Sequence, residues 1–284
     1  MRKLYTYMGS KDRHLDLLNN IINNSHSKNY CEPFLGSGSV FLNLQKDFEK
    51  YYLNDLQEEN ILAFKFAKQL NKEFIIRVFN ETKSKFPLAN KEMFYAFRDN
   101  LCNVTDNDKI DKAVYIFRIY NTCINGMIRF NKNRFNSAYG GDQRPFLHNL
   151  NDRLCNYINS INYIKLKNIE VSNKSFEDLL NKKDCLYFFD PPYITNEMAC
   201  NAGFDSSKLE TLVDFMLNTR EEFVYTDMLN DYNKILLDKY EYCTVDKIRS
   251  IRPKCGKDLN NKEEIVVWNF KQKDIFNIWT YRKN

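Results

Sequence analysis

Long apolar runs are missing from this chain of 284 residues. No stretch approaches the roughly 20 consecutive apolar residues that a membrane-spanning helix needs. The residues after Met1 are also too polar to form the apolar centre of a secretory signal peptide. We therefore expect a cytoplasmic protein that does not bind membranes.

Metal-binding patterns are missing as well. The chain has 8 cysteines and 3 histidines, but none forms a Cys-x-x-Cys pair or a local Cys/His group with zinc spacing, so we expect no metal site. Internal repeats and low-complexity linkers are also absent. The net charge of +5 is a mild excess, which permits nucleic-acid binding without establishing it. The apolar fraction of 43% is high enough for a packed core.

The first part of the chain has the pattern of an α/β protein. Apolar residues at helical spacing predict a helix over residues 13–24, and short apolar runs predict strands at 30–34 and 51–55. A Gly/Ser turn and a second helical stretch, which begins at Ser39, lie between the two strands. This strand–turn–helix–strand order is typical of the opening of a Rossmann-like sheet.

The pattern changes over residues 57–160. Helical segments at 57–80, 90–101 and 108–123 lead into a run from Asn125 to Gly141 that predicts a β-hairpin with its tip at 131–134. The α/β pattern then resumes with a strand from Cys185, helix 207–218, strand 222–227, helix 231–238 and strands near 240–247 and 263–270. We therefore predict a discontinuous α/β domain over 1–56 and 161–284, interrupted by a mostly helical insert over 57–160.

A glycine turn joins the first strand to the next helix, in the sequence Glu32-Pro33-Phe34-Leu35-Gly36-Ser37-Gly38. Glycines let the backbone turn tightly and approach a ligand closely. Asp55 ends the next strand about 20 residues on, the spacing at which a carboxylate can hold ribose hydroxyls. A plain tight turn, with Asp55 capping the next helix, is the alternative. The turn lacks both the Gly-Lys-Ser/Thr ending of a P-loop and the third glycine of a dinucleotide site, which favours a nucleoside cofactor without a pyrophosphate.

A second motif, Asp190-Pro191-Pro192-Tyr193, follows a strongly apolar strand. Proline ends the strand, so the Asp190 carboxylate and the Pro191 carbonyl are expected at its C-terminal edge, where α/β sheets bind ligands. Two acceptors there can take both N–H bonds of a planar exocyclic amine and free its nitrogen lone pair. Tyr193 supplies a flat face on which an extruded base can stack. A Pro-Pro turn with a capping aspartate is the alternative.

These motifs, in this order, resemble the Dam-like, alpha-class (D12-type) family of DNA N6-adenine methyltransferases. The resemblance covers nearly the whole chain, from Tyr7-Met-Gly-Ser-Lys11 through the glycine turn and the hairpin to the tetrapeptide. It implies S-adenosyl-L-methionine as cofactor and a Rossmann-like S-adenosylmethionine-dependent methyltransferase sheet, with the insert as target-recognition domain. The cofactor-binding positions that we expect are Tyr7, Lys11, Glu32, Pro33, Phe34, Gly36, Ser37, Gly38, Asp55, Phe176 and Asp190.

The resemblance also implies that the insert binds double-stranded DNA. The positions expected to contact DNA are Asn125, Met127, Arg129, Asn131, Lys132, Arg134 and Ala138. Arg129 matches an arginine that reads guanine in relatives, which often methylate adenine within GATC, so we expect GATC or a related short site. Two positions depart from the family pattern: Ala138 stands where proline is usual, and Thr6 stands where some relatives have a base-contacting lysine.

Other functions share parts of this pattern. A methyltransferase acting on cytosine N4, an RNA base or a protein glutamine is one alternative, but Asp190 goes with adenine in resembling families. A cytosine-C5 enzyme is excluded, because it needs a cysteine after proline and the chain has no Pro-Cys. A non-enzymatic DNA-binding module or an RNA enzyme also stays open. No obligate protein partner is evident. A prokaryotic or phage-infected cell is the expected setting, and a solitary, a phage-borne and a restriction-associated enzyme remain equally open.

Overall fold

A computed structural model of the protein describes residues 1–87, 90–101, 108–127, 130–131, 134–141, 150–194, 203–245 and 264–272. At Asn125, Phe130, Asn131, Arg134 and Leu150 it describes the main chain alone. Arg129 and Lys132 lie outside the described residues. Within the described part of the chain, no helix is both long and apolar enough to cross a membrane.

The described residues contain both helices and strands, and four helices follow one another between the second and third strands. The helices are α1 (Leu15–Ile22), α2 (Ser39–Leu42), α3 (Glu58–Lys65), α4 (Lys72–Lys85), α5 (Lys91–Leu101), α6 (Lys109–Thr122), α7 (Leu150–Lys165), α8 (Ser206–Asn218) and α9 (Ile235–Lys239). The strands are β1 (Asn29–Glu32), β2 (Lys50–Asn54), β3 (Phe130–Asn131), β4 (Arg134–Phe135), β5 (Ile169–Ser172), β6 (Cys185–Phe189), β7 (Glu222–Met228), β8 (Glu241–Val245) and β9 (Glu264–Trp268).

The first helical segment of the insert differs from its prediction. The single helix expected over 57–80 is two helices, α3 and α4. The break is explained by Asn71, whose side chain accepts a hydrogen bond from the Phe74 backbone N–H at 2.8 Å and thereby caps the start of α4. The patterns in the sequence also did not predict α7 or β5.

Seven strands form one sheet in the order β5-β2-β1-β6-β7-β9-β8. Strand β6 pairs in parallel with β1 and β7, whereas β9 runs antiparallel to β7 and β8. All residues of β6 are buried, which is typical of a central parallel strand covered on both faces. The mixed α/β class with a mostly parallel sheet, as predicted from the sequence, is confirmed.

The packing divides the chain into two compact units. Unit 1 comprises Met1–Asp16, Leu35–Leu44 and Leu53–Ser175, and unit 2 comprises Leu17–Phe34, Gln45–Tyr52 and Phe176–Asn284. The predicted catalytic domain and the predicted target-recognition domain over 57–160 are defined by function, not by packing. This division stays a prediction.

Helix α6 is the central helix of unit 1. It packs against α3, α4 and α5, and nearly every residue of its C-terminal half is buried. A helix with apolar residues on all sides belongs in a core, and α6 has this character from Ala113 onward. The ring of Tyr120 stacks on Tyr5 with centroids 4.2 Å apart. Phe135 of the hairpin packs into a smaller apolar cluster with Phe94 and Phe97 of α5.

The core of unit 2 is built around β6, β7 and β9. Tyr187 and Phe189 of β6 stack with ring centroids 5.3 Å apart, and both rings pack edge-on against Phe215 of α8. The Tyr187 hydroxyl donates to the carbonyls of Leu179 and Lys182, so this buried polar group is satisfied. This packing fixes the C-terminal end of β6, where the tetrapeptide begins.

Candidate active site

The glycine turn follows β1 and leads into α2. The Gly38 backbone N–H donates to the Leu35 carbonyl at 2.8 Å, and both Gly36 (φ +53°) and Gly38 (φ +67°) are left-handed. A Cβ on Gly36 would lie 3.0 Å from Tyr7 Cε1, and one on Gly38 would collide with Phe64 Cζ. Both positions therefore require glycine for backbone conformation and for space.

Asp55 follows β2 and braces this turn. Its carboxylate accepts hydrogen bonds from the backbone N–H groups of Gly36 at 2.7 Å and Gln57 at 2.8 Å. Burial raises the pKa of Asp55, and these hydrogen bonds oppose the rise. The N-cap residue of α3 is Gln57, so the alternative of Asp55 as cap of that helix is wrong. A carboxylate has about four lone-pair sites, so Asp55 keeps capacity for further donors.

Tyr7 lies beside the turn and belongs to a hydrogen-bond network around Asn60, which the sequence did not predict. The Tyr7 hydroxyl accepts a hydrogen bond from Asn60 Nδ2 at 3.3 Å, and the Tyr120 hydroxyl donates to Asn60 Oδ1. Tyr5 donates to the Asn60 carbonyl at 3.3 Å. Asn60 is 1% exposed and helps to hold the pKa of Asp55 down. The one signal for it in the sequence is a polar residue at the start of the apolar run of α3.

Lys11 and the serines of the turn are buried. Lys11 is 4% exposed, although a lysine considered alone is more often a surface residue. Its backbone N–H donates to the Ser39 hydroxyl at 3.2 Å, which ties the N-terminal segment to the first residue of α2. Ser37 is also buried. Within unit 1 the structure thus brings together Tyr7, Gly36 and Asp55, and it places Lys11 against α2.

The remaining expected cofactor residues belong to unit 2. Glu32 ends β1, is 2% exposed, and accepts a hydrogen bond from the Tyr30 hydroxyl at 2.8 Å. Pro33 is buried. Phe34 and Phe176 contact each other with ring centroids 5.2 Å apart, and Phe204 joins both rings at 5.5 and 5.8 Å. This aromatic cluster includes Phe204, which sequence reasoning missed.

The tetrapeptide begins where β6 ends. The Asp190 carboxylate accepts a hydrogen bond from the Thr226 hydroxyl at 2.9 Å, and Thr226 is a buried residue of the neighbouring strand β7. Pro191 is buried and Pro192 is exposed. The Tyr193 hydroxyl donates to Glu264 Oε1 at 2.8 Å. The tetrapeptide is therefore anchored by Thr226 and Glu264, and neither residue carries a signal in the sequence.

A buried carboxylate, Asp227, is the neighbour of Thr226 on β7. It accepts hydrogen bonds from the Tyr225 hydroxyl at 2.6 Å, the Met228 backbone N–H at 2.7 Å and Asn233 Nδ2 at 3.2 Å. Burial raises the pKa of Asp227 to about 7, against these hydrogen bonds and with an added contribution from the charge of Asp190. Sequence reasoning did not single out this residue.

The hairpin is present at its predicted place, since β3 pairs antiparallel with β4. Its base is fixed by the bond from the Ile124 N–H to the Ala138 carbonyl at 3.0 Å and by the Ser137 hydroxyl, which donates to the Met127 carbonyl at 2.8 Å. Ala138 itself is exposed. The structure does not describe five of the side chains expected to contact DNA: those of Asn125, Arg129, Asn131, Lys132 and Arg134.

Comparison with known proteins shows the family to which this site belongs. A family model for D12 class N6 adenine-specific DNA methyltransferases matches residues 7–251. The chain is 30% identical to the Type II methyltransferase M.MjaIII of Methanocaldococcus jannaschii over 264 residues, which cover 86% of this chain and 89% of that protein. It is 25% identical to the Type II methyltransferase M.CviBI of Paramecium bursaria Chlorella virus NC1A, over 95% of this chain and 100% of the relative. It is 28% identical to a DNA adenine methylase of Escherichia coli, over 57% of this chain and 55% of that protein.

Proposed function

Because the chain belongs to the D12 class of N6 adenine-specific DNA methyltransferases, we propose that it methylates N6 of adenine within GATC or a related short site of double-stranded DNA. The enzyme class and a DNA substrate follow from the family, which also implies S-adenosyl-L-methionine as methyl donor. Relatives from Methanocaldococcus jannaschii and Escherichia coli support action in the cytoplasm of a prokaryotic or phage-infected cell. The observation that carries the proposal is Asp190-Pro191-Pro192-Tyr193 at the end of a buried parallel strand, with Asp190 held by Thr226.

The residues of the glycine turn fit an S-adenosyl-L-methionine site. Asp55 offers a carboxylate for ribose hydroxyls, and the left-handed Gly36 and Gly38 form the tight turn that it braces. We assign Tyr7 and Lys11, with Ser37, to the same cofactor. We also assign Glu32, Pro33, Phe34 and Phe176 to the cofactor, as the family resemblance implies, and the apolar faces of Phe34 and Phe176 suit an adenine ring. When bound, the cofactor supplies a methyl group made electrophilic by the positive sulfur.

Asp190 and Pro191 prepare the adenine nitrogen in this proposal. The Asp190 carboxylate and the Pro191 carbonyl accept the two N–H bonds of the amine, which favours a pyramidal nitrogen with a free lone pair. The Thr226 hydroxyl donates to Asp190 and so fixes the orientation of its carboxylate. Tyr193 stacks on the extruded base. No side chain has to carry the methyl group, so we expect no covalent enzyme intermediate.

The hairpin reads the DNA sequence in this proposal. Arg129 makes a bidentate contact with guanine O6 and N7. Asn125, Met127 and Ala138 contact DNA near the target base pair. We also assign Asn131, Lys132 and Arg134 to DNA contacts: Lys132 and Arg134 contact phosphates, which positions the protein without specifying sequence. The antiparallel pairing of β3 with β4 supports a hairpin at this position.

Transfer of a radioactive methyl group tests the function directly. The purified chain is incubated with labelled S-adenosyl-L-methionine and duplex DNA, with RNA of the same sequence as control, and the product nucleosides are separated. We expect label in N6-methyladenine from DNA alone. Label in N4-methylcytosine, or in RNA, would overturn the assignment. Mapping the modified adenines in a randomised duplex library then gives the recognition site.

A further inference from the structure

Glu264 is bonded to the tetrapeptide through Tyr193, whose hydroxyl donates to Glu264 Oε1 at 2.8 Å. Glu264 is the first residue of β9 and is 6% exposed. Its backbone is held from both sides, because its register partners are Met228 on β7 and Val245 on β8. The carboxylate is therefore an acceptor attached to a rigid part of the sheet.

Tyr193, by contrast, lies outside the helices and strands. Residues 191–194 are neither helix nor strand, so no ladder of backbone hydrogen bonds sets the plane of the Tyr193 ring. The hydroxyl lies at the far end of the ring, and a hydrogen bond there restricts rotation of the whole side chain. A base is stabilised by stacking on an aromatic face, and this helps the reaction most when the face is already oriented.

The position of Glu264 is costly for a carboxylate. The other residues of β9 are apolar and fully buried: Ile265, Val266, Val267 and Trp268. Removing a carboxylate from water costs free energy unless hydrogen-bond donors satisfy it. An apolar residue would continue the pattern of the strand at no such cost. A glutamate at this position therefore indicates that a hydrogen-bond acceptor is needed at this end of β9.

We propose that Glu264 is a positioning residue for methyl transfer, which holds the Tyr193 hydroxyl and so presets the Tyr193 ring as the platform for the extruded adenine. This inference rests on the base-stacking role of Tyr193 in the proposed function. The role requires the hydroxyl of Tyr193 as much as the carboxylate of Glu264. A phenylalanine in place of Tyr193 would still offer a stacking face, but that face would lack the hydrogen bond to Glu264.

The test compares Glu264→Ala, Glu264→Gln, Tyr193→Phe and the double variant Tyr193→Phe/Glu264→Ala. Glu241→Ala is the matched control: Glu241 lies at the other end of the β8–β9 ladder and accepts a hydrogen bond from Trp268 Nε1 at 3.0 Å. Each protein is assayed for single-turnover methylation at saturating S-adenosyl-L-methionine and for its thermal transition. Fluorescence of 2-aminopurine at the target adenine reports whether the base leaves the stack.

We expect Tyr193→Phe and Glu264→Ala each to slow single-turnover methylation about ten-fold and to change the 2-aminopurine signal, because both remove one hydrogen bond. The double variant should be no slower than the slower single variant. Glu264→Gln keeps an acceptor and should recover most of the rate, and Glu241→Ala should match the wild type.

Two results would overturn the inference: wild-type rate and fluorescence in Tyr193→Phe, or losses in the two single variants that multiply in the double variant. If Glu264→Ala does not fold, Tyr193→Phe decides alone, since it deletes only one hydroxyl. A wild-type protein that transfers no methyl group to adenine in DNA would remove the proposed function and this inference together. An active wild type with unaffected variants would remove the inference alone.

Discussion

The Asp55 carboxylate and the backbone N–H of Gly36 are joined by a hydrogen bond of 2.7 Å, although 19 residues separate them along the chain. The same carboxylate accepts from the Gln57 N–H, and Asn173 Nδ2 donates to the Asp55 carbonyl at 2.7 Å. One residue therefore ties the glycine turn to the segment that follows β2. Any ligand contact of Asp55 is made by a carboxylate already held in place.

Asp55→Ala should weaken binding of S-adenosyl-L-methionine by at least one charge-assisted hydrogen bond, about 1.5–3 kcal/mol. Asp55→Asn should lose less, because its side-chain carbonyl can still accept from Gly36 or Gln57. Calorimetric titration measures both affinities. Asp111→Ala, which removes a half-buried carboxylate of α6, is the control and should bind normally. Unchanged affinity in folded Asp55→Ala would reject Asp55 as a cofactor residue.

Gly36→Ala should destabilise the protein more than Gly9→Ala does. Both glycines are left-handed, at φ +53° and +88°, so both substitutions cost roughly 1–2 kcal/mol of backbone strain. Only at Gly36 would the added Cβ meet a neighbour, Tyr7 Cε1 at 3.0 Å, whereas Gly9 has nothing within 4 Å. Urea unfolding of the two variants measures the difference. Equal losses of unfolding free energy would show that the Tyr7 ring moves aside without a measurable cost.

Thr226→Val should reduce turnover about ten-fold, since it removes the hydroxyl that donates to Asp190 at 2.9 Å while keeping the shape of the side chain. Thr226→Ser keeps the hydroxyl and should retain most of the activity. Asp190→Ala should lose most turnover yet still bind DNA, because the insert carries most of the DNA affinity in our proposal. Single-turnover rates and gel-shift titrations measure the two properties. Near-normal turnover in Asp190→Ala would end the proposed chemistry.

Asp227 should make the folded protein less stable as pH rises. The folded state keeps the Asp227 proton up to a pKa of about 7, whereas the unfolded chain releases it near 3.8. The folded state therefore binds more protons between these values, so the free energy of unfolding falls across this window and levels off above it. The loss is at most about 4 kcal/mol, from 1.36 kcal/mol per pKa unit.

Denaturant unfolding at pH 5, 6, 7 and 8 measures this slope, and Asp227→Asn, which cannot titrate, should flatten it. The variant is expected to be less stable overall, because its amide NH₂ faces the Tyr225 and Asn233 donors. A slope of the same sign from Asp55 and Asp111, whose pKa values are also raised by burial, should remain. An identical pH dependence in both proteins would assign the slope to other groups.

Arg129→Ala should relax discrimination at one base pair by about 1–3 kcal/mol, because it removes a bidentate contact with guanine. Lys132→Ala should weaken binding to every sequence alike and flatten the salt dependence, as expected for a phosphate contact. Methylation of a randomised duplex library, followed by mapping of modified adenines, separates the two phenotypes. The same preference profile for wild type and Arg129→Ala would show that Arg129 does not read the site.

The fold was largely predictable because its strands carry local signals. The continuous apolar run of β6 and the glycine turn after β1 can each be recognised from a few consecutive residues. Strand β5 (Ile169–Ser172) was missed because it is short and only half-buried, so it lacks the apolar run by which the other strands were found. Helix α7 was missed because its apolar residues are interspersed with asparagines, which weaken the helical pattern.

The site was predictable only where a motif is contiguous in sequence. Asp190 and Tyr193 stand in one tetrapeptide, whereas their hydrogen-bond partners Thr226 and Glu264 come from strands 36 and 71 residues further on. Strand pairing decides which residues meet, and a strand's own sequence does not state its register. Asn60 was hidden for the same reason, since only packing shows that it bonds to three tyrosines.

Gly126, at the start of the hairpin, has φ +64°, and a Cβ there would collide with the Thr6 carbonyl and lie 2.9 Å from the Tyr7 N–H. The Thr6 hydroxyl in turn receives a hydrogen bond from Arg153 of α7 at 2.9 Å. A hairpin transplanted from a relative would thus meet a foreign N-terminal segment at van der Waals distance. Variants with altered site preference should be sought by exchanging or randomising residues 5–7 together with 124–140. If only one segment is changed, it must pack against the unchanged residues of the other.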